Sequence, residues 1–525
     1  MSTILEIMAP TLEWLQLSPL LVLLGGACLG VIVEAFVPRP YRYVVQVFVA
    51  VVSVVAALGL TVNLWVAGGA PIVAAMGSIA VDGPALAFWT LLLVFGLGGV
   101  ALFAERAVGQ GSSAFASSAA TVPGSPMERE ADRLGREHTE IFPLLLFSLF
   151  GMLIFASAND LLALFVGLEI LSLPLYLLSG MARRRRLLSQ EAALKYFLMG
   201  AFASGFLLFG IALLYGYSGG LELSAIADAI AAGGASNGLL LAGMLLVAVG
   251  ILFKIGAVPF HTWTPDVYVG APTPVTGFMA IATKTAAVGA LLRVFYVALG
   301  GARWDWQPVF AVIAVATMLI GSVVALMQTD IKRLLAYSSI AHAGFILVGV
   351  VGVVAPDGGT LVSSVGAIAF YLLAYGVATL GAFGIVTMVR RSGGEANDLE
   401  AWRGIGRTNP VLAAIMTLFL LSFAGIPLTG GFVGKLVVFA SAVAGGYAWL
   451  VVVAVVMSVV AAVLYFKVIV AMYLSEPSEE GAGTVVSPSL WTWGVIAVAT
   501  VATIVLGLMP SAVLDVLDAA AQFVR

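Results

Sequence analysis

Fourteen nearly unbroken apolar stretches run through this chain, and they leave few folds open to it. A bilayer core of roughly 30 Å calls for about 20 apolar residues per helical crossing. Runs near that length fall at 18–37, 44–67, 84–104, 142–158, 161–181, 193–217, 239–260, 274–299, 307–328, 334–354, 361–389, 410–443, 447–474 and 489–513. They are continuous and rich in Leu, Ala and Gly, without the alternation that marks a membrane barrel. The expected fold class is an all-α polytopic membrane protein with about 14 transmembrane helices. Charged residues make up 10% of the chain and AVILMFWYC 62%, where a soluble domain carries roughly 25% charge. A surface so poor in charge suits lipid.

The first nine residues hold Glu6 and no Lys or Arg. A signal peptide needs a basic leader, so the first run is expected to remain as a span. A single cysteine, Cys28, excludes internal disulfides and any Cys-ligated zinc or iron–sulfur cluster. Three histidines, His138, His261 and His342, argue against two-His haem ligation. No cofactor or metal is expected in this chain, so electrons, if they are involved, travel in another subunit. The net charge is -3 with no basic-aromatic patch, and no nucleic-acid partner is expected.

Basic residues report orientation. Sixteen of the 24 lie in odd-numbered loops, each loop numbered by the run before it: Arg39, Arg42, Arg106, Arg129, Arg133, Arg136, Arg183 to Arg186, Lys332, Arg333, Arg390, Arg391, Arg403 and Arg407. Even-numbered loops and the termini hold only Arg303 and Arg525. The positive-inside rule then places the odd loops in the cytoplasm and both termini outside. Residues 107–140, rich in Ser, Ala and Gly before a charged run, read as a solvated connector with room for a short helix. Residues 475–488 read as a plain linker.

Six basic residues remain within the runs: Lys195, Lys254, Lys284, Arg293, Lys435 and Lys467, with the acid Glu169. A charge at mid-membrane costs on the order of 3 kcal/mol by insertion scales, so each is a functional candidate by default. Glu169 and Lys284 lie near the middle of their runs, and Lys254 about two thirds along. Lys195 is close to a span end and four residues after Glu191, so a local ion pair or a snorkelling side chain is its alternative reading. For Arg293 and Lys467, nearer the span ends, snorkelling or headgroup contact is the expected role.

Two runs are interrupted. One reads Leu252-Phe-Lys254-Ile-Gly-Ala-Val-Pro259-Phe-His261 and the other Ala424-Gly-Ile-Pro427-Leu-Thr-Gly-Gly-Phe-Val-Gly-Lys435. Proline inside a helix removes a backbone hydrogen bond, and in lipid the freed carbonyls must face protein or water. Breaks at corresponding places in two halves are the mark of inverted-repeat transporters. The expected division is 1–105 (three helices), 106–141 (polar loop), 142–300 (first repeat, helices 4–8), 301–475 (second, inverted repeat, helices 9–13) and 476–525 (linker and helix 14). The discontinuous helices are 7 and 12. Removal from water favours the neutral form of a lysine and a nearby carboxylate favours the charged form. Glu169, Lys195, Lys254, Lys284 and Lys435, linked by water, therefore form a candidate proton relay. Pro259, His261, Pro427 and His342 are its supporting residues. A nucleotide site is excluded, because Leu436 follows Gly434-Lys435 where a phosphate loop needs Ser or Thr.

Several strings carry a family resemblance: Gly167-Leu-Glu169-Ile-Leu-Ser-Leu-Pro174, Glu191-Ala-Ala-Leu-Lys195-Tyr-Phe, Val258-Pro-Phe-His-Thr-Trp-Thr-Pro-Asp266-Val-Tyr, Ala271-Pro-Thr-Pro-Val, Gln328-Thr-Asp-Ile-Lys332-Arg-Leu-Leu-Ala-Tyr337-Ser-Ser and Gly425-Ile-Pro-Leu-Thr-Gly-Gly-Phe. Over roughly residues 140 to 475 the chain resembles the antiporter-like membrane subunits of respiratory complex I. It is most similar to the branch with lysine rather than glutamate in the twelfth helix and no lateral helix after the fourteenth. The resemblance implies two inverted five-helix repeats, Glu169 paired with a lysine, Lys254 as the central protonatable residue, Lys284 leading onward and Lys435 at the outer exit. It also implies a bacterial plasma-membrane location. NADH, FMN, iron–sulfur clusters and quinone would sit in partner subunits. The expected partners are other complex I membrane subunits, especially neighbouring antiporter-like and small subunits, and the lipid bilayer. The insert at 107–140 has no counterpart in the family pattern. The expected function is proton translocation coupled to quinone reduction elsewhere. A multi-subunit cation/proton antiporter and a purely structural membrane subunit are the competing readings.

Overall fold

Backbone polar groups find no partner in hydrocarbon, so chain that crosses it closes its hydrogen bonds within helices. A computed structural model describes residues 12–68, 71–109, 113–116, 125–133, 137–233, 236–355, 362–391, 394–476 and 483–524. Its helices are α1 (Trp14–Phe36), α2 (Arg39–Ala67), α3 (Gly83–Phe103), α4 (Pro126–Arg133), α5 (Ile141–Ser157), α6 (Leu161–Ser179) and α7 (Arg186–Ser218). There follow α8 (Leu223–Ala231), α9 (Asn237–Ile255), α10 (Trp263–Gly270), α11 (Thr273–Arg293), α12 (Arg303–Leu326), α13 (Ile331–Gly352) and α14 (Ser364–Met388). The last are α15 (Ile405–Thr408), α16 (Pro410–Ala424), α17 (Gly430–Ala444), α18 (Ala448–Tyr473), α19 (Leu490–Leu508) and α20 (Ser511–Ala519). Among the described residues, 12 helices are long and apolar enough to cross a membrane alone. The 17-residue α5 and the jointed pair α16/α17 complete the fourteen crossings read from the sequence.

Contacts between loops confirm that the crossings alternate. Even loops meet even loops: Asn159 N–H donates to Ser78 O at 2.8 Å, Asp160 bridges to Glu222, and Ser363 N–H donates to Asp518 Oδ1 at 2.7 Å. Odd loops meet odd loops on what we call the basic face: Arg183 N–H donates to Ala114 O at 2.9 Å, and Val486 N–H to Met388 O at 2.9 Å. The hairpin β1 (Ile72–Ala74)/β2 (Ile79–Val81) lies on the opposite face. On the basic face β3 (Val389–Arg391) pairs with β4 (Gly394–Glu395) and with β5 (Thr484–Val485). The end of the 475–488 segment is thus a strand and not a plain linker. The 107–140 segment also departs from its reading as a solvated connector. Phe115 is fully buried, with its ring 5.1 Å from that of Phe103, because one large aromatic outweighs the polar residues around it. Within the same segment, residues 110–112, 117–124 and 134–136 lie outside the described residues.

Helix α11 is buried along its whole length, and α13 and α14 nearly so. The other spans wrap these three and turn apolar side chains such as Phe36, Leu187 and Val452 outward, as a lipid-facing surface requires. The two breaks share one geometry. Helix α9 ends on Gly256 at φ +80°, and α16 ends on Gly425 at φ +82°. At each break two successive N–H groups turn back onto the last helical turn: Gly256 and Ala257 onto Leu252 O, Gly425 and Ile426 onto Leu421 O, all at 3.0 Å. This left-handed glycine cap satisfies carbonyls that lipid would leave bare. Helix α10 continues from its break to the basic face, and α17 from its break to the opposite face, which makes the two repeats inverted. The start of α17 presses on the end of α16 so closely that a Cβ on Gly431 would lie 1.9 Å from Ser422 O.

Two ion pairs lock the ends. Arg293 corrects the expectation that it snorkels: it is 1% exposed and grips Asp82 with both guanidinium arms, at 3.0 and 2.6 Å. Asp82 also caps α3 through Ala85 N–H and accepts from Val524 N–H at 2.9 Å. A neighbouring loop carboxylate makes this burial possible, which proximity to a span end did not reveal. Lys467 is half-buried and donates to Leu326 O and Gln328 O at 3.1 and 2.9 Å, closing the C-terminal end of α12. On the basic face Glu395 meets Lys332 Nζ at 3.3 Å and accepts from Thr273 N–H and Oγ1–H. Burial pushes the Glu395 carboxyl upward, but Lys332, Thr273 and Arg390 outweigh it and hold the carboxyl below its ordinary value.

Removing one partner of a buried ion pair strands the other and costs about 3–5 kcal/mol. Arg293→Met should therefore lower the thermal unfolding temperature of the purified protein and reduce its yield in the membrane. A variant as stable as the wild type would show that Asp82 needs no partner. Because the Glu395 carboxyl is held below its ordinary value, its stabilising effect is present above the usual carboxylate range and is lost as pH falls through its folded value. Thermal unfolding compared at neutral and acidic pH should show a smaller acid loss in Glu395→Gln than in the wild type.

Candidate functional site

Two of the intramembrane charges, Lys254 and Lys435, lie at the two breaks. Lys254 occupies the last turn of α9, two residues before Gly256, and is 2% exposed. Its ammonium donates to Tyr196 Oη at 3.1 Å and lies 5.0 Å from the Tyr196 ring and 5.6 Å from the Tyr176 ring. Tyr196 stacks on Trp263, centroids 4.6 Å apart, so the first turn of α10 builds one wall of the lysine's surroundings. Lys435 stands in α17 and reaches back across the second break. Its Nζ donates to Phe423 O at 2.9 Å, Ala424 O at 3.0 Å and Ser458 Oγ at 2.8 Å. Each lysine thus stands at a break: the Lys435 ammonium meets the carbonyl end of α16, where partial negative charge favours it, and the Lys254 ammonium is held by the Tyr196 hydroxyl.

Between the breaks lies a buried polar row. Lys284, in the middle of α11, donates to Ser339 O and to Ser339 Oγ, the latter at 2.7 Å. Next to Ser339, Ser338 Oγ is hydrogen-bonded to Tyr465 Oη at 2.6 Å. Tyr465 Oη lies 3.2 Å from His342 Nε2, and His342 Nδ1 lies 2.6 Å from Tyr371 Oη. The imidazole stacks on Tyr375 at 4.3 Å. The helices supplying this row, α11, α13 and α14, are the buried ones, and α18 adds Tyr465. Bonded to Tyr371 and Tyr465 and stacked on Tyr375, His342 is the centre of the second cluster. Among the described residues no hydrogen bond joins the Lys254, Lys284–His342 and Lys435 clusters to each other. Thr264 Oγ1 and Thr285 Oγ1 are buried near them without a partner among the described residues.

Glu169 accepts a hydrogen bond from Ser204 Oγ. No lysine lies within ion-pair distance of it among the described residues. Lys195 stands apart from the row. It is half-exposed and makes ion pairs with Glu191 at 2.7 Å and Asp266 at 2.9 Å, the local pairing weighed as its alternative. The other oxygen of Asp266 takes Arg333 at 3.2 Å. Asp266 on α10 is therefore held by one cation from each repeat. Pro259 and Pro427 follow the capping glycines in the breaks. His261 lies half-buried beside Pro259, its Nδ1 without a partner among the described residues.

The cost of burying charge picked out the lysines, but it says nothing about tyrosine and serine. Tyr196, Ser338, Ser339, Tyr371, Ser458 and Tyr465 were missed for that reason. A hydroxyl inside a span carries no comparable penalty, and only packing shows which hydroxyls meet. Among the described residues, no group of three or more His, Cys, Asp or Glu side chains could hold a metal ion.

Residues 158–461 match the family model described as NADH:quinone oxidoreductase/Mrp antiporter, TM. Proteins called NADH-quinone oxidoreductase subunit N are similar from end to end. The one from Cutibacterium acnes is 53% identical, with 99% of this chain and 97% of that protein covered. The one from a Nocardioides species is 54% identical, with 99% and 100% covered. Among solved structures, a chain of respiratory complex I from Thermus thermophilus with bound aureothin superposes with a TM-score of 0.75 at 33% identity, covering 96% of this chain and 100% of that one. A chain of the Mrp complex from a Dietzia species superposes at 0.79 with 23% identity, covering 97% of each, and at that identity the likeness is one of fold. The fold, the mirrored breaks with their lysines and these full-length similarities agree: the chain belongs to the NADH:quinone oxidoreductase/Mrp antiporter transmembrane family, in its branch of N subunits.

Proposed function

We propose that this chain moves protons across the membrane as a non-redox subunit of an NADH:quinone oxidoreductase, driven by quinone reduction in partner subunits. The observation that carries the reading is the placement of Lys254 and Lys435 at the ends of mirrored half-helices, with the Lys284–Ser339 and Ser338–Tyr465–His342–Tyr371 groups between them. Water bound by groups such as Thr264 Oγ1 and Thr285 Oγ1 links the clusters, since buried hydroxyls without protein partners are satisfied by water. Glu169 is the counter-charge whose distance from Lys254 sets how firmly the first proton is held. Lys195 and Asp266 stand at the basic mouth, and Lys435 lies toward the exit. NADH, FMN, iron–sulfur clusters and quinone belong to the partners. Neighbouring antiporter-like and small membrane subunits flank this chain. The basic face is cytoplasmic, the termini lie outside, and the membrane is the bacterial plasma membrane.

A multi-subunit cation/proton antiporter uses the same fold. The full-length identity to N subunits favours the respiratory assignment, and co-purification with NADH-oxidising, flavin-containing and iron–sulfur subunits separates the two. In vesicles carrying the whole complex, Lys254→Met should remove most of the proton movement per NADH oxidised while the complex still assembles. Normal pumping by an assembled Lys254→Met complex would return the chain to a structural role. In a Cys28→Ser background, a membrane-impermeant thiol reagent added to intact cells should label Ala232→Cys and spare Arg407→Cys. The reverse pattern would invert the topology.

A further inference from the structure

On the basic face, away from the buried lysine row, a cavity of about 250 Å³ opens where the α6–α7 loop, the α10–α11 turn and the β3–β4–β5 sheet meet. Arg183, Arg184, Arg185 and Arg390 line it, with Glu395 and Thr484. Among the lining residues the basic side chains outnumber the acidic ones. The Glu395 carboxylate, the one acidic side chain among these lining residues, is shared between Lys332 and Thr273 and also lies in the field of Arg390. Arg184 makes no ion pair among the described residues. Arg185 reaches the Glu395 carbonyl oxygen at the limiting distance of 3.5 Å. Arg390 is largely enclosed, and its Nε is buried without a hydrogen-bond partner among the described residues. Arg184 and Arg185 are exposed and Arg390 is partly buried, so arginines from two separate elements line one concavity.

We infer that this cavity is a binding site for a phosphate-bearing anion, in which Arg184, Arg185 and Arg390 converge on the phosphate oxygens. Guanidinium forks match two oxygens of a phosphate at once, and a buried N–H without an acceptor gains most from receiving one. The site lies at the ends of α6, α7, α10 and α14, the level at which a spanning protein meets lipid headgroups. Basic pockets between helices there hold anionic lipids. A phosphodiester headgroup and a soluble phosphate offer the same oxygens. The site takes no part in the proton path, so its failure leaves the proposed function untouched.

Hydrogen exchange of the segments containing Arg184 to Arg186 and Val389 to Glu395, measured by mass spectrometry on the whole delipidated complex, tests it. Three conditions are compared: phosphatidylcholine vesicles alone, the same vesicles with phosphatidylglycerol, and phosphatidylcholine vesicles with added inorganic phosphate. The wild type should show a several-fold slowing in both segments with phosphatidylglycerol. The slowing should be lost in Arg390→Gln and in the double variant Arg184→Gln/Arg185→Gln, whose side chains are exposed and whose folding is not at risk. Slowing by phosphatidylglycerol alone identifies a lipid headgroup, and equal slowing by inorganic phosphate identifies a soluble anion. Exchange unchanged by both, or slowed equally in the wild type and the double variant, overturns the site.

Discussion

Everything in this chain turns on the requirement that a backbone carbonyl in hydrocarbon have a partner. A straight helix meets it automatically. A broken helix does not, and this protein breaks two. The left-handed caps at Gly256 and Gly425 satisfy part of what each break exposes, and the lysine ammonium groups lie at the same ends. Lys435 does so directly, through two carbonyls of α16. Lys254 rises from the last turn of α9 itself and turns its ammonium to the Tyr196 hydroxyl. At the second break the exposed carbonyls and the buried charge are therefore one feature, since each makes the other tolerable.

The same requirement explains why the molecule is built around α11, α13 and α14. A lysine such as Lys284 survives only where nothing apolar can reach its ammonium group without a hydrogen-bonding group beside it. Ser338, Ser339, His342 and Tyr371 come from helices buried almost end to end, while the outer helices present Phe, Leu and Val to lipid. The carboxylates divide in a similar way. Asp82, Glu395 and Asp266 hold cations near the two faces and tie separate elements together. Glu169 sits among the spans, with a serine hydroxyl as its partner.

The fourteen crossings, the two breaks and the deep lysines could be read from the sequence because each rests on a large local energy: the burial of an apolar run, a proline in mid-helix, a charge out of water. Partners could not be read, because they come from remote parts of the chain. Arg293 looked like a snorkelling residue until Asp82, from a loop more than two hundred residues earlier, was placed beside it. Lys195 carried two readings, and the one that prevailed needed Asp266 from another helix. Phe115 was hidden in a polar segment whose average said solvent. Tyr465 and Tyr371 gave no signal at all, since an aromatic inside a span is ordinary until its hydroxyl is seen to meet an imidazole.

The mirrored breaks have a consequence for direction. Helices α9 and α16 approach the middle of the molecule from opposite faces, each bringing its carbonyl end inward, while α10 and α17 leave toward opposite faces. Their peptide dipoles along the membrane normal oppose one another pairwise. A proton entering from either side thus meets the same order of backbone polarity, and these four half-helices favour neither way across. Any preference must be imposed by side chains that break the symmetry or by work delivered from outside the chain. The scaffold by itself is a two-way street.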